Sequence, residues 1–169
     1  MTISMYSASV PIFKRQLEAM AKWLDKAEAH AQARKFDSAN YLQLRLAPDM
    51  LPFVRQIQIA SDNAKGCTAR LAGLEPPKFE DNEASFDDLR ARIRRTIEFV
   101  ESVAPSLIEG SEQREIVLPL RNREPLKFAG EFYLTQWVLP NFQFHCTIAY
   151  ALLRHAGVEL GKADYLHIG

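Results

Sequence analysis

Three stretches of this chain carry an apolar side chain at every third or fourth residue, a spacing that commits them to helices packed face to face. In the first, Val10, Phe13, Leu17, Met20, Leu24 and Ala27 share one stripe, and Pro11 falls in the first turn, where a missing N–H does no harm. In the second, the stripe is Phe53, Ile57, Ala60, Ala64, Cys67 and Leu71. This helix is expected to begin near Pro48, with Asp49 in its first turn beside unpaired amides, and to end at Gly73. In the third, Phe86, Leu89, Ile93, Ile97, Val100 and Val103 follow Ser85, which with Asp88 resembles a capping box, and stop at Ala104-Pro105. Between the first two lies a connector, Arg34 to Pro48, expected to be ordered by Tyr41, Leu44 and Leu46. The proline- and acid-rich EPPKFEDNEA after Gly73 reads as a loop.

The texture changes at REIVLPLRNREPLKFAG. Two runs rich in Ile, Val, Leu and Phe flank Arg121-Asn122-Arg123-Glu124, a β-hairpin pattern with Asn122 suited to the turn. From Gly130 a fourth helix follows that is apolar on nearly every side. Deep burial is expected for it, with a break or bend at Pro140 and an end at Gly157, where Arg154 and His155 complement the last carbonyls. The tail, ELGKADYLHIG, should lie against the bundle through Tyr165 and Leu166. The expected fold is therefore all-α, a four-helix bundle with a short β-hairpin between helices three and four. A chain of 169 residues with 47% hydrophobic content can fill one core, so a single domain over 1–169 is expected.

Charge narrows the function classes. Lysine plus arginine (21) balances aspartate plus glutamate (21), so no net field attracts nucleic acid or acidic lipid. The N-terminus lacks a signal-peptide pattern, and no run of roughly 18 apolar residues offers a membrane span, so a cytoplasmic protein is expected. Cys67 and Cys146 read as buried thiols rather than a disulfide or metal pair. Arg90, Arg92, Arg94 and Arg95 spread over more than one helix face, partly neutralised by Asp87 and Asp88, and read as solvated. His30 reads the same way, His155 as a complement to the helix end, and His167 as part of the tail. Trp23, Trp137, Tyr133, Phe142, Phe144 and Tyr150 suit packing. No nucleophile is indicated, because His145 and Cys146, adjacent in a helix, diverge by about 100 degrees.

One stretch is more specific. Asn141-Phe-Gln-Phe-His145-Cys-Thr-Ile-Ala-Tyr150-Ala-Leu-Leu-Arg154-His-Ala-Gly157-Val158 resembles the last helix of the DinB/YfiT-like superfamily, in which His-x-x-x-His precedes an apolar run and Leu-Arg-x-x-Gly-Val. The segments RLAGLEPPKF and LGKADYL resemble a bacterial family of unassigned function within it. The resemblance implies a bundle that commonly holds a divalent metal, zinc or nickel, between one histidine of the second helix and a histidine pair four residues apart on the last. Related families include thiol-dependent transferases and isomerases, in which the metal activates a low-molecular-weight thiol. Here His145 stands alone. Asn141 occupies the first position of the pair, and the second-helix position falls on Gln56, with Asp49 as the alternative. Two functions follow as expectations. In one, His145, Asn141 and Gln56 satisfy one another as a polar cluster, and the bundle is a small-molecule binder or a homodimeric interaction module. In the other, His145 is a metal ligand, with Gln56 and Asn141 or Asp49 completing the shell of an enzyme.

Overall fold

The computed structural model describes residues 3–120 and 123–168. Helix α1 spans Val10–Ala33 with Pro11 in its first turn, and its stripe from Val10 to Ala27 is buried. Helix α2 runs Phe53–Ala72 and is closed by Gly73, whose φ of 73° is the left-handed cap that glycine adopts without strain. Its start corrects the expectation of a beginning near Pro48. Pro52 is the N-cap, and a proline disfavours helical geometry in the residue before it, so Leu51 is irregular, Ala47 to Met50 form a turn and Asp49 is exposed outside the helix.

The connector between α1 and α2 is a 3₁₀ helix, Ser38–Gln43, capped by the Asp37 carboxylate accepting from the Ala39 N–H at 2.8 Å. Tyr41 and Leu42 anchor it in the core, while Leu46, expected to do so, is exposed. Helix α3, Phe86–Ser102, begins as expected at Ser85, whose hydroxyl accepts from the Asp88 N–H at 3.1 Å. The Asp88 carboxylate in turn accepts from the N–H of Ala84, one residue earlier than in a standard capping box.

After a single turn, α4 at Pro105–Ile108, strands β1 (Glu115–Leu120) and β2 (Arg123–Ala129) pair antiparallel, with Ile116 opposite Phe128 and Leu118 opposite Leu126. The register shifts between Leu118 and Leu120, where Pro119 has no N–H to give the ladder. The turn expected at Asn122 lies outside the described residues. The hairpin runs straight into the fourth long helix, and Gly130 makes the junction possible, because a Cβ there would sit 2.0 Å from the Ser111 carbonyl oxygen.

That fourth helix has three parts: α5 (Gly130–Phe132), a π-helical stretch (Tyr133–Val138) and α6 (Leu139–His155). Pro140 cannot donate to the carbonyl one turn back and its ring crowds that carbonyl; the wide π turns directly precede it. Burial is less complete than the apolar composition suggests, since Phe132 and Phe144 are 55% and 52% exposed. Helix α1 packs on α3 and α6, and α2 packs on the same two, so α1 and α2 face each other diagonally across the core. A last short helix, α7 (Lys162–Leu166), lies on α1, where Tyr165 stacks on Trp23 at 5.6 Å; its neighbour Leu166 is 41% exposed. The architecture is the mostly helical bundle with one small hairpin that the sequence implies.

Candidate functional site

Helix α2 and helix α6 bring Gln56 and His145 together. Gln56 is 2% exposed, and its carboxamide bridges two partners: Nε2 donates to the Leu51 carbonyl at 2.8 Å, and Oε1 lies 2.8 Å from His145 Nδ1. Because the Gln56 nitrogen is committed to a carbonyl, its oxygen faces the ring, and His145 Nδ1 is the donor in that bond. The neutral ring then carries its lone pair on Nε2. His145 is half-buried, and its pKa lies below the usual histidine value, because burial disfavours the imidazolium and the nearby Arg55 cation repels it. Phe144 meets the ring edge-to-face at 5.2 Å.

Asn141 does not join this pair. Its Nδ2 donates to the Trp137 carbonyl at 2.6 Å, so the amide serves the wide turns of its own helix. Asp49 sits exposed in the turn before α2. Of the four sequence-predicted residues, the fold therefore joins Gln56 to His145, turns Asn141 to the backbone and leaves Asp49 at the surface. Among the described residues no group of three His, Cys, Asp or Glu side chains could hold a metal ion. The donors at hand are one imidazole and an amide oxygen already hydrogen-bonded, and this set does not fit zinc or nickel. Both cysteines are free and buried, and burial pushes both thiols up, away from nucleophilic reactivity.

The most charged buried cluster was hidden in a run that reads as solvated. Arg92 is 2% exposed, which corrects that reading. Its Nη2 pairs with Asp62 at 2.9 Å and Asp81 at 3.0 Å; its Nη1 pairs with Glu83 at 2.8 Å and donates to the Glu80 carbonyl at 3.1 Å. Lys65, Arg55 and Gln58 complete the network, on Asp62, Asp81 and Glu83 respectively. Burial opposes the Arg92 charge, but Glu83, Asp62 and Asp81 outweigh it and hold the guanidinium above its ordinary pKa. Three carboxylates from α2 and the 74–84 loop thus clamp that loop across α2 and α3. The signal in the sequence was positional: Arg92 lies three residues after Leu89 and four before Thr96, both buried, whereas Arg94 and Arg95 lie off that stripe and are exposed. Arg90 is also tied down, to Asp25, Glu28 and Asp87. His30 likewise departs from its solvated reading, being half-buried with Nδ1 2.5 Å from the Tyr41 hydroxyl.

Comparison with known proteins agrees with this fold. A family model described as "Domain of unknown function (DUF1993)" matches residues 5–166. A crystal structure of a DinB family member protein from Shewanella denitrificans, solved at 1.83 Å, superposes with a TM-score of 0.85 at 36% sequence identity, covering 95% of this chain and 90% of that one. No curated protein sequence matches the chain. No helix is long and apolar enough to cross a membrane among the described residues. The chain belongs to the DUF1993 family, a DinB-like helical domain of unknown function.

Proposed function

We propose that this chain is a non-catalytic helical module that binds a small molecule or a partner protein, with the metal position of its superfamily converted into a closed polar contact. The observation that carries this reading is the Gln56 carboxamide, which uses its N–H on Leu51 and its oxygen on His145 Nδ1. An amide oxygen is a weak ligand for a borderline cation, and this one would have to give up a buried hydrogen bond to become one. An interaction surface is supported by Phe132 and Phe144, both more than half exposed, and by the stacking of Phe128 on Phe132 at 5.9 Å beside the hairpin. A homodimer formed through that side is part of the proposal.

One feature favours the second reading, a metal-dependent enzyme. A ligating imidazole usually donates its other N–H to a carbonyl, and Gln56 holds His145 in that manner. In that case Gln56 orients the ligand and is not a ligand itself. Elemental analysis of untagged protein, with light scattering, separates the two. The expected result is no stoichiometric zinc or nickel and a dimer mass unchanged by His145→Ala. Stoichiometric metal that disappears in His145→Ala would overturn the module reading.

A further inference from the structure

On a different part of α2, independent of His145, the Glu75 to Glu80 stretch stands off the helix and closes a groove of about 540 Å³, lined by Lys65 and Arg70 on one wall and Lys78 on the other. That volume falls within the range of small-molecule sites, about 300–1,000 Å³. Three features make the groove more than a gap. Arg70 is half-buried and held in place: its Nη1 donates to the Tyr133 hydroxyl at 3.2 Å, and its guanidinium lies over Gly66, where a Cβ would meet Nη1 at 2.6 Å. Glycine is a poor helix former, and here its bare backbone is what the guanidinium rests on. Tyr133 stays a neutral hydroxyl, because burial lifts its pKa to about 12.

Second, Arg70 has no carboxylate within ion-pair distance among the described residues, whereas Arg55, Arg90 and Arg92 all have one or more. An oriented, half-buried guanidinium without a counter-charge is electrostatically incomplete. Third, Lys65 is 7% exposed, and its ammonium has one acid, Asp62 at 3.0 Å, with the Phe79 ring at 5.1 Å. Asp62 is shared with Arg92. The groove's own acids, Glu75 and Glu80, are exposed and can turn to water. The outer wall is also fixed in advance, through Asp81 and Glu83 on Arg92 and through Phe79 under Arg95 at 4.2 Å. A ligand would not have to order the loop.

We propose that this groove binds a small doubly charged oxyanion, taken by the planar fork of Arg70 with Lys65 and Lys78 supplying the second charge. Phosphate groups and dicarboxylates share that chemistry, and a guanidinium fork matches both. The test is calorimetric titration of the full chain with inorganic phosphate and, separately, with succinate, at neutral pH and matched ionic strength. Saturable one-to-one binding of at least one anion is expected, and the preferred one assigns the class. Arg70→Gln should weaken it by about 10- to 100-fold, the loss of a charged hydrogen-bond pair. Lys78→Ala should weaken it a few-fold, and Arg123→Gln on the hairpin should leave it unchanged. Gly66→Ala keeps every charge but displaces the guanidinium, and should also weaken binding, which decides the matter if Arg70→Gln does not fold. Absence of saturable binding by either anion, or parental affinity in Gly66→Ala and Arg70→Gln, would overturn the proposal.

Discussion

Two polar clusters are built on α2, and they solve burial in opposite ways. Around Arg92, three formal cations (Arg55, Lys65, Arg92) meet three carboxylates (Asp62, Asp81, Glu83), and the guanidinium at the centre is almost fully removed from water. Around His145, a carboxamide and an imidazole kept neutral by its surroundings make one hydrogen bond. The charged cluster turns on Arg92, because removing it leaves Glu83, with an 8% exposed side chain, without its cation. The neutral cluster can lose a member and leave only an unpaired dipole. The Gln56–His145 contact is thus the gentler of the two, and the heavier structural demand falls on the loop clamp around Arg92.

The sharpest way to break the contrast is Arg92→Met, which keeps the bulk and deletes the charge. Glu83, whose side chain is 8% exposed, would be left without its cation. Removing one partner of a buried pair costs about 3–5 kcal/mol, and that loss is the expectation for urea unfolding. Cleavage within residues 74–84 by limited proteolysis should rise in parallel. Arg94→Ala, two residues on and exposed, should shift stability by no more than about 0.5 kcal/mol. Equal effects in the two variants would mean that the clamp is an ordinary surface network.

How far these clusters could be read in advance depended on what each requires. The helices were legible because a stripe such as Phe86, Leu89 and Ile93 needs only local periodicity. The start of α2 was not, because the rule that tolerates a proline early in a helix competes with the rule that disfavours helix before one, and at Leu51-Pro52 the second prevailed. The Gln56–His145 contact was legible through family resemblance, since nothing local relates residues 89 apart in sequence. Asn141 was misjudged because Pro140 changes its surroundings: beside the π turns, a short amide finds a backbone carbonyl within reach before it finds a distant side chain. The burial of Arg92 is readable from its place between Leu89 and Thr96, but two of its three carboxylate partners come from a loop, and a loop that folds back over a helix leaves no periodic trace.

A middle-sized effect is expected at the neutral cluster. Gln56→Leu retains volume but leaves the Leu51 carbonyl and His145 Nδ1 without their partner, a cost of about 1–3 kcal/mol, below that of Arg92→Met. Gln56→Glu sharpens the comparison, because it brings a formal charge into the neutral cluster. The new carboxylate would still accept from Nδ1, and an opposite charge at that distance favours the imidazolium, so an NMR titration should move the His145 pKa upward from its lowered value. A His145 pKa that does not respond would show that the contact with residue 56 is absent in solution.

The smallest effect expected is in the pH dependence, and it belongs to the neutral cluster. His145 titrates lower in the folded chain than the usual 6.5, so between those two values the unfolded state binds the extra proton and the folded state does not. Stability is therefore greatest above about 6.5 and declines as pH falls towards the folded pKa, below which the loss is complete. Thermal unfolding followed from neutral pH down to about pH 5.5 should show this shallow decline in the parent protein. In His145→Gln the decline should flatten, with the contribution of Arg92 intact. A slope that persists unchanged in His145→Gln would place the titrating group elsewhere.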